Sequence, residues 1–174
     1  MTTIQELLKR NIDAIKLRIL IFGPALEGSN DDPRVIDLRK KRKQIREYLE
    51  KIGHHVAFPE EIVDPNADPP ANNPVVQEIL LVKDYDFVIN LIETSGTNVE
   101  LGMFCTKEDC ARKTHLFICN EYQGGLAYQA CLASKGLGGR LSEYIYPQDL
   151  QECHLLAMVA QSVKEIQVAR FYSS

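Results

Sequence analysis

The chain has 174 residues, of which 45% are hydrophobic and 25% are charged, and its formal net charge is -4. These values are typical of one globular domain covering residues 1–174, and the negative charge argues against a general nucleic-acid-binding protein. No apolar run approaches the roughly 20 residues of a membrane span, and the first residues lack the pattern of a signal peptide. We therefore expect a cytoplasmic protein that does not bind membranes.

Hydrophobic periodicity predicts alternating helices and strands in the first half of the chain. Apolar residues at helical spacing predict a first helix over residues 4–15. Compact apolar segments predict strands over 17–22 and 55–58, with a long helix over 37–52 between them. Residues 25–33 and 59–74 are rich in turn-forming residues and predict surface loops, the second of which is a candidate lid.

The alternation continues in the second half. Strands are predicted over 87–92, 114–119 and 143–146, and helices over 74–83, 99–112, part of 124–139, and 147–172. Strands that alternate with helices specify a parallel sheet with helices on both faces. We predict an α/β fold, namely a flavodoxin-like three-layer sandwich with a five-stranded parallel sheet.

The five cysteines form no Cys-x-x-Cys pair and are not grouped with the four histidines. Free thiols of this kind are typical of a reducing compartment, and the sequence suggests no zinc site. We expect neither a metal nor another cofactor. The basic run over residues 39–43 lies on the second predicted helix and is typical of a solvated helix face, while Arg34 or Arg39 is a candidate for binding a phosphate.

A glycine-rich turn with a following carboxylate comes directly after the predicted central strand, and it contains Ser95, Gly96, Thr97 and Glu100. In open α/β sheets, ligands bind in the crevice outside the carboxyl ends of the strands, where a helix N-terminus offers N–H groups. Glu100 is therefore placed for chemistry. Alternatively, it complements the dipole of the helix that it opens.

Several segments of this chain resemble the nucleoside 2-deoxyribosyltransferase-like superfamily, which includes deoxynucleoside monophosphate N-glycosidases. They are Ile21-Phe22-Gly23-Pro24, Asp86, and Ser95-Gly96-Thr97-Asn98-Val99-Glu100-Leu101-Gly102. The resemblance implies that Glu100 is the nucleophile that attacks the anomeric carbon of a deoxyribose, and that Asp86 acts near the departing base. It covers about residues 17–120. Leu20 and Thr94 depart from the family, which usually has a tyrosine and an acid at these positions, and Glu93 is adjacent to the second.

The candidate binding residues lie where predicted strands end. They are Gly23, Pro24, Ser29, Asn30, Glu93, Ser95, Gly96, Thr97 and Asn120. A carboxylate close to C1′ stabilises the oxocarbenium-like state of C–N bond cleavage and can trap it as an ester. We thus predict an N-glycosidase or N-glycosyltransferase that acts on a nucleoside or nucleotide. The resemblance also implies a homo-oligomer.

Two alternatives stay open at this stage. The segment Asn98-Val99-Glu100-Leu101-Gly102 is also similar to nucleotide-binding TIR-like proteins, which implies an NAD hydrolase or cyclase in a defence or signalling pathway. The third hypothesis is a nucleotide-binding sensor that has kept the fold without the chemistry. Leu20 and Thr94 are the residues that favour it.

Overall fold

A computed structural model describes residues 3–27, 32–64, 66, 73–93, 102, 104 and 106–173. It contains five strands in a single sheet. They are β1 (Arg18–Phe22), β2 (His55–Ala57), β3 (Phe87–Leu91), β4 (Thr114–Cys119) and β5 (Arg140–Tyr144). All neighbouring strands pair in parallel, in the order β2-β1-β3-β4-β5. This is the flavodoxin-like order, so the predicted fold class is confirmed.

Seven α-helices are described. They are α1 (Ile4–Asp13), α2 (Pro33–Lys51), α3 (Pro74–Asp84), α4 (Glu108–Ala111), α5 (Leu126–Gly136), α6 (Gln148–Gln151) and α7 (His154–Ser173). Short 3-10 turns at Pro59–Glu61 and Asn120–Tyr122 follow β2 and β4. Among the described helices, none combines the length and apolarity needed to cross a bilayer.

The sheet separates two apolar cores, because successive side chains of a strand point to opposite faces. On one face, Ile19 and Ile21 of β1 pack with Leu38 and Leu49 of α2, and α7 completes this layer. On the other face, Leu20 and Phe22 pack with residues of α3 and α5. All five residues of β3 are buried, as expected for the central strand of a sheet covered on both sides.

Several predicted boundaries are wrong, and tertiary contacts explain why. The strand predicted over residues 143–146 is β5, which begins at Arg140 because Arg140 and Leu141 continue the ladder with β4. The closing helix is broken at Glu152, which is extended and whose carbonyl accepts a hydrogen bond from the Lys41 Nζ at 2.8 Å. The helix predicted over 99–112 is interrupted at Lys107, which is also extended.

Candidate functional site

Four of the predicted binding residues lie at the carboxyl edge of the sheet. Gly23 and Pro24 follow β1, Glu93 lies two residues after the end of β3, and Asn120 follows β4. Because these three strands are neighbours in a parallel sheet, their carboxyl ends meet at one edge. The other predicted site residues on the loops fall outside the described residues. They are Ser29, Asn30, Ser95, Gly96, Thr97 and Glu100.

Gly23 lets β1 end close to its neighbours. Its φ is +153°, a value that side-chain-bearing residues rarely adopt. A Cβ at this position would lie 3.3 Å from the carbonyl oxygen of Leu91 and 3.4 Å from the Cδ of Arg42. The glycine is therefore required by its conformation and by the tight approach of β3 and α2.

Arg42 fastens the end of β1 to the chain that follows β2. Its Nε and one terminal nitrogen donate to the carbonyl of Ile21 at 3.1 and 2.6 Å. The other terminal nitrogen donates to the carbonyl of Pro24 at 3.0 Å, and both terminal nitrogens bind the Glu60 carboxylate at 2.5 and 2.7 Å. The guanidinium also stacks on Phe58, 4.3 Å from the ring centroid. All five N–H groups of Arg42 are used.

The prediction of a solvated face over residues 39–43 is thus wrong for two residues, because Lys41 and Arg42 are 2% and 1% exposed. A sequence signal for Arg42 was present but was missed. The buried stripe of α2 contains Leu38, Ile45 and Leu49, and residue 42 falls on it at helical spacing. A charged residue on such a stripe indicates a buried, paired group.

A cleft opens beside Arg42, and we call it the Arg42 cleft. Its volume is about 230 Å³, and its lining residues come from the ends of β1 and β2 and from α2 and α3. They are Phe22, Gly23, Ala25, Arg42, Pro59, Glu60, Val63 and Glu78. The cleft therefore lies at the edge where α/β sheets of this order bind ligands.

A second cluster at the same edge is built around Arg34, the second residue of α2. Its guanidinium donates to the Tyr122 hydroxyl at 2.7 Å, pairs with Glu121, and lies 4.7 Å from the ring centroid of Tyr146. The Tyr122 hydroxyl donates in turn to the backbone carbonyl of Glu93 at 3.0 Å. The cluster thus holds the backbone of Glu93, two residues after the end of β3.

The electrostatics of this cluster keep Arg34 charged. Burial alone would lower the pKa of Arg34, but the hydrogen bonds to Glu121 and Tyr122 outweigh it, so the pKa is raised. Burial also raises the pKa of Tyr144, whose hydroxyl has no hydrogen-bond partner within the described part of the chain. The contacts with Glu121 and Tyr122 hold the Arg34 guanidinium and use two of its five N–H groups.

The sequence model of one protein family, described as STM3845 retron effector protein, matches residues 38–126, just over half of the chain. The chain belongs to this STM3845 retron effector protein family. None of the curated proteins matches the chain. The matched range includes Arg42, β3, Glu100 and Tyr122, whereas Gly23, Pro24 and Arg34 precede it. Membership indicates a defence-related effector.

Asp86, the remaining predicted catalytic residue, lies elsewhere. It precedes β3, and its carboxylate accepts hydrogen bonds from the Arg18 backbone N–H at 2.7 Å and from the Arg170 guanidinium at 2.6 Å. β3 has five residues, so about 16 Å of strand separate Asp86 from the carboxyl edge. The structure does not bring Asp86 together with Gly23 and Glu93, and its contacts fasten β1 and α7 to the amino end of β3.

The described residues contain no group of three or more His, Cys, Asp or Glu side chains arranged to hold a metal ion. At the carboxyl edge, Glu60 and Glu78 place carboxylates in the lining of the Arg42 cleft. Such groups bind an organic ligand through hydrogen bonds.

Proposed function

We propose that this retron effector cleaves the N-glycosidic bond of a nucleoside or nucleotide, with the carboxylate of Glu100 as the nucleophile. The observation that carries the proposal is the position of the Gly-Thr-x-x-Glu-x-Gly motif, directly after the central strand of a flavodoxin-like sheet. The carboxyl end of that strand is the ligand-binding edge in this architecture.

The residues on either side of Glu100 in the sequence support this position. Glu93 lies at the carboxyl edge and is held there by Tyr122. Phe104 is buried, and its ring lies 5.7 Å from that of Phe22, the last residue of β1. Phe22 itself lines the Arg42 cleft. A substrate in this cleft would therefore lie near the Phe22–Phe104 contact, and Phe104 follows Glu100 by four residues in the sequence.

The chemistry requires one carboxylate and a site with little water. As the bond from C1′ to the base nitrogen breaks, positive charge develops on the sugar, and the Glu100 carboxylate stabilises it and forms an ester with C1′. The base leaves with the bonding electron pair and takes up a proton. Water then attacks the ester and releases the sugar, or a second base attacks and the reaction is a transfer. Asp86 has no part in this scheme.

Base release from a substrate panel tests the proposal. The purified protein is incubated with deoxynucleosides, deoxynucleoside monophosphates and NAD, and the free base is measured by chromatography. We expect release from the deoxy compounds, and a loss of about a thousandfold or more in Glu100→Gln. Glu47→Gln, the same change at an exposed position of α2, is the matched control. Release of nicotinamide from NAD alone, or ligand binding without release of any base, would contradict the proposal.

A further inference from the structure

The Arg42 cleft presents hydrogen-bond acceptors rather than donors. Its cation, Arg42, already directs all five N–H groups to two backbone carbonyls and to the Glu60 carboxylate. A phosphate could bind Arg42 only by displacing one of these bonds. The cleft therefore lacks what makes an arginine a phosphate-binding group, namely a fork of N–H groups directed at the ligand.

The two carboxylates of the lining, in contrast to Arg42, accept hydrogen bonds. Glu60 receives one N–H of Arg42 on each oxygen, and its side chain is 37% exposed. Each carboxylate oxygen has two lone pairs, so Glu60 keeps acceptor capacity towards the cleft after pairing with Arg42. Glu78 of α3 also lines the cleft and is a second carboxylate. Because all five N–H groups of Arg42 are used, the charged side chains of the lining favour a ligand that donates hydrogen bonds to these carboxylates and carries no negative charge.

The size and the walls of the cleft narrow the class of ligand. Its volume of about 230 Å³ is below the roughly 300–1,000 Å³ of sites that enclose a whole ligand, so it accommodates part of a nucleoside. Phe22, Pro59 and Val63 provide apolar surface beside the carboxylates. A flat aromatic ring with an N–H-bearing edge matches both features.

We propose that the Arg42 cleft is the base subsite and that it selects nucleobases carrying an exocyclic amino group, which donates to the carboxylates of Glu60 and Glu78. This inference rests on the proposed N-glycosidase function. The preferred substrates are then adenine, guanine or cytosine nucleosides, and a 5′-phosphate gains nothing from this cleft.

Calorimetric titration of the wild-type protein with matched ligand pairs tests the inference. Deoxyinosine has a carbonyl and a ring N–H in place of the amino group and unprotonated ring nitrogen of deoxyadenosine, and deoxyuridine differs from deoxycytidine in the same way. We expect the amino-bearing member of each pair to bind about tenfold or more tightly, because its amino group donates to a carboxylate that would face the carbonyl oxygen of the other member. The 5′-monophosphate of deoxyadenosine should bind no more tightly than deoxyadenosine. The comparison with the monophosphate also tests Arg39 as a phosphate-binding residue. Its Nε donates to the carbonyl of Ala25, a lining residue of the cleft, at 2.6 Å.

Glu78→Gln is the variant that probes the cleft, because it keeps the size of the side chain and leaves the Arg42–Glu60 pair intact. We expect the preference for the amino-bearing ligands to fall at least threefold, whereas Glu47→Gln should preserve it. Equal affinity within both ligand pairs, or tighter binding of the monophosphate, would overturn the inference.

The experiment separates this inference from the proposed function, because base release is followed in the same samples. Selective binding without base release supports the base subsite and contradicts the glycosidase. Base release without selective binding supports the glycosidase and contradicts the base subsite. The comparison of ligand pairs needs no variant, so the test holds even if Glu78→Gln fails to fold.

Discussion

The imidazole of His115 lies between two hydroxyl groups, with Nδ1 2.9 Å from the Ser162 Oγ and Nε2 2.8 Å from the Ser142 Oγ. The residue is 4% exposed, and its ring stacks on Phe117. Burial, and to a smaller extent the charge of Arg140, lowers the pKa of His115 to about 3. The folded protein therefore holds this histidine mostly neutral at pH values above this pKa.

This histidine makes the free energy of unfolding depend on pH. Between the unfolded pKa of 6.5 and the folded pKa of about 3, the unfolded chain binds a proton that the folded chain does not. The stabilisation is complete above pH 6.5 and is lost as the pH falls, by up to about 1.4 kcal/mol per unit. From pH 7 to pH 5, we expect wild type to lose about 2 kcal/mol more than His115→Gln in urea unfolding. Equal losses would contradict the assignment.

The hydroxyl of Tyr122 joins α2 and β3 at the turn that follows β4. Tyr122→Phe removes its bond to the Glu93 carbonyl and the acceptor for Arg34, but keeps the ring beneath the guanidinium. We expect a loss of about 1 kcal/mol in stability and, if the proposed function holds, a lower kcat for base release with little change in KM. In this role Tyr122 is a positioning residue.

Tyr172→Phe is the matched control for this change, because Tyr172 is 72% exposed near the end of α7. It should leave the unfolding midpoint and kcat at their wild-type values. A Tyr122→Phe variant that loses stability but keeps kcat would show that the contact is structural alone. That result would contradict the positioning role.

At the scale of elements, Arg42 holds α2 against the ends of β1 and β2. Arg42→Met leaves the Glu60 carboxylate and the carbonyls of Ile21 and Pro24 without their partner. Breaking a buried ion pair costs about 3–5 kcal/mol, and we expect about 3 kcal/mol here because Glu60 is partly exposed. Lys43→Met, at an exposed position of the same helix, should change stability by less than about 0.5 kcal/mol. A similarly small effect in Arg42→Met would contradict this role.

The strands that are buried on both faces could be predicted from the sequence, because their signal is a continuous run of apolar residues. β1, β3 and β4 are apolar on both faces, so their hydrophobic runs stand out. β5 is half-buried and includes Arg140 and Glu143, so its apolar signal is weak and its start was placed three residues late. The break before α7 depends on Lys41, a residue 111 positions away from Glu152. No local pattern contains that contact.

The same difference between local and long-range signals applies to the candidate site. The placement of Gly23, Glu93 and Asn120 at the carboxyl edge could be predicted, because each follows a predicted strand and parallel topology brings such positions to one edge. Arg42 was missed because its neighbours in the sequence are also basic, and the run was interpreted as one surface. Asp86 was assigned from the family resemblance, whereas its position before β3 already indicated the amino edge. The catalytic role of Glu100 stays a prediction.

At the scale of the whole molecule, exposed leucines on one helical layer indicate self-association. Leu80 of α3 and Leu126 and Leu132 of α5 are 58%, 73% and 40% exposed, and both helices cover the same face of the sheet. Exposed apolar side chains on one face of a molecule are a feature of interaction surfaces. We expect a homo-oligomer in sedimentation velocity, and a smaller species for Leu126→Glu. Ile4→Glu, on α1, is the control that should leave the size unchanged. A monomeric wild type would contradict this prediction.

The proposed mechanism passes through a covalent bond between the sugar and Glu100, which mass spectrometry of the protein detects. The protein is mixed with deoxyadenosine, quenched in acid within seconds, and digested, and the peptide that contains Glu100 is weighed. We predict a deoxyribosyl adduct on Glu100 in wild type and in Glu47→Gln, and none in Glu100→Gln. An adduct on another residue, or base release by Glu100→Gln at the wild-type rate, would contradict the account.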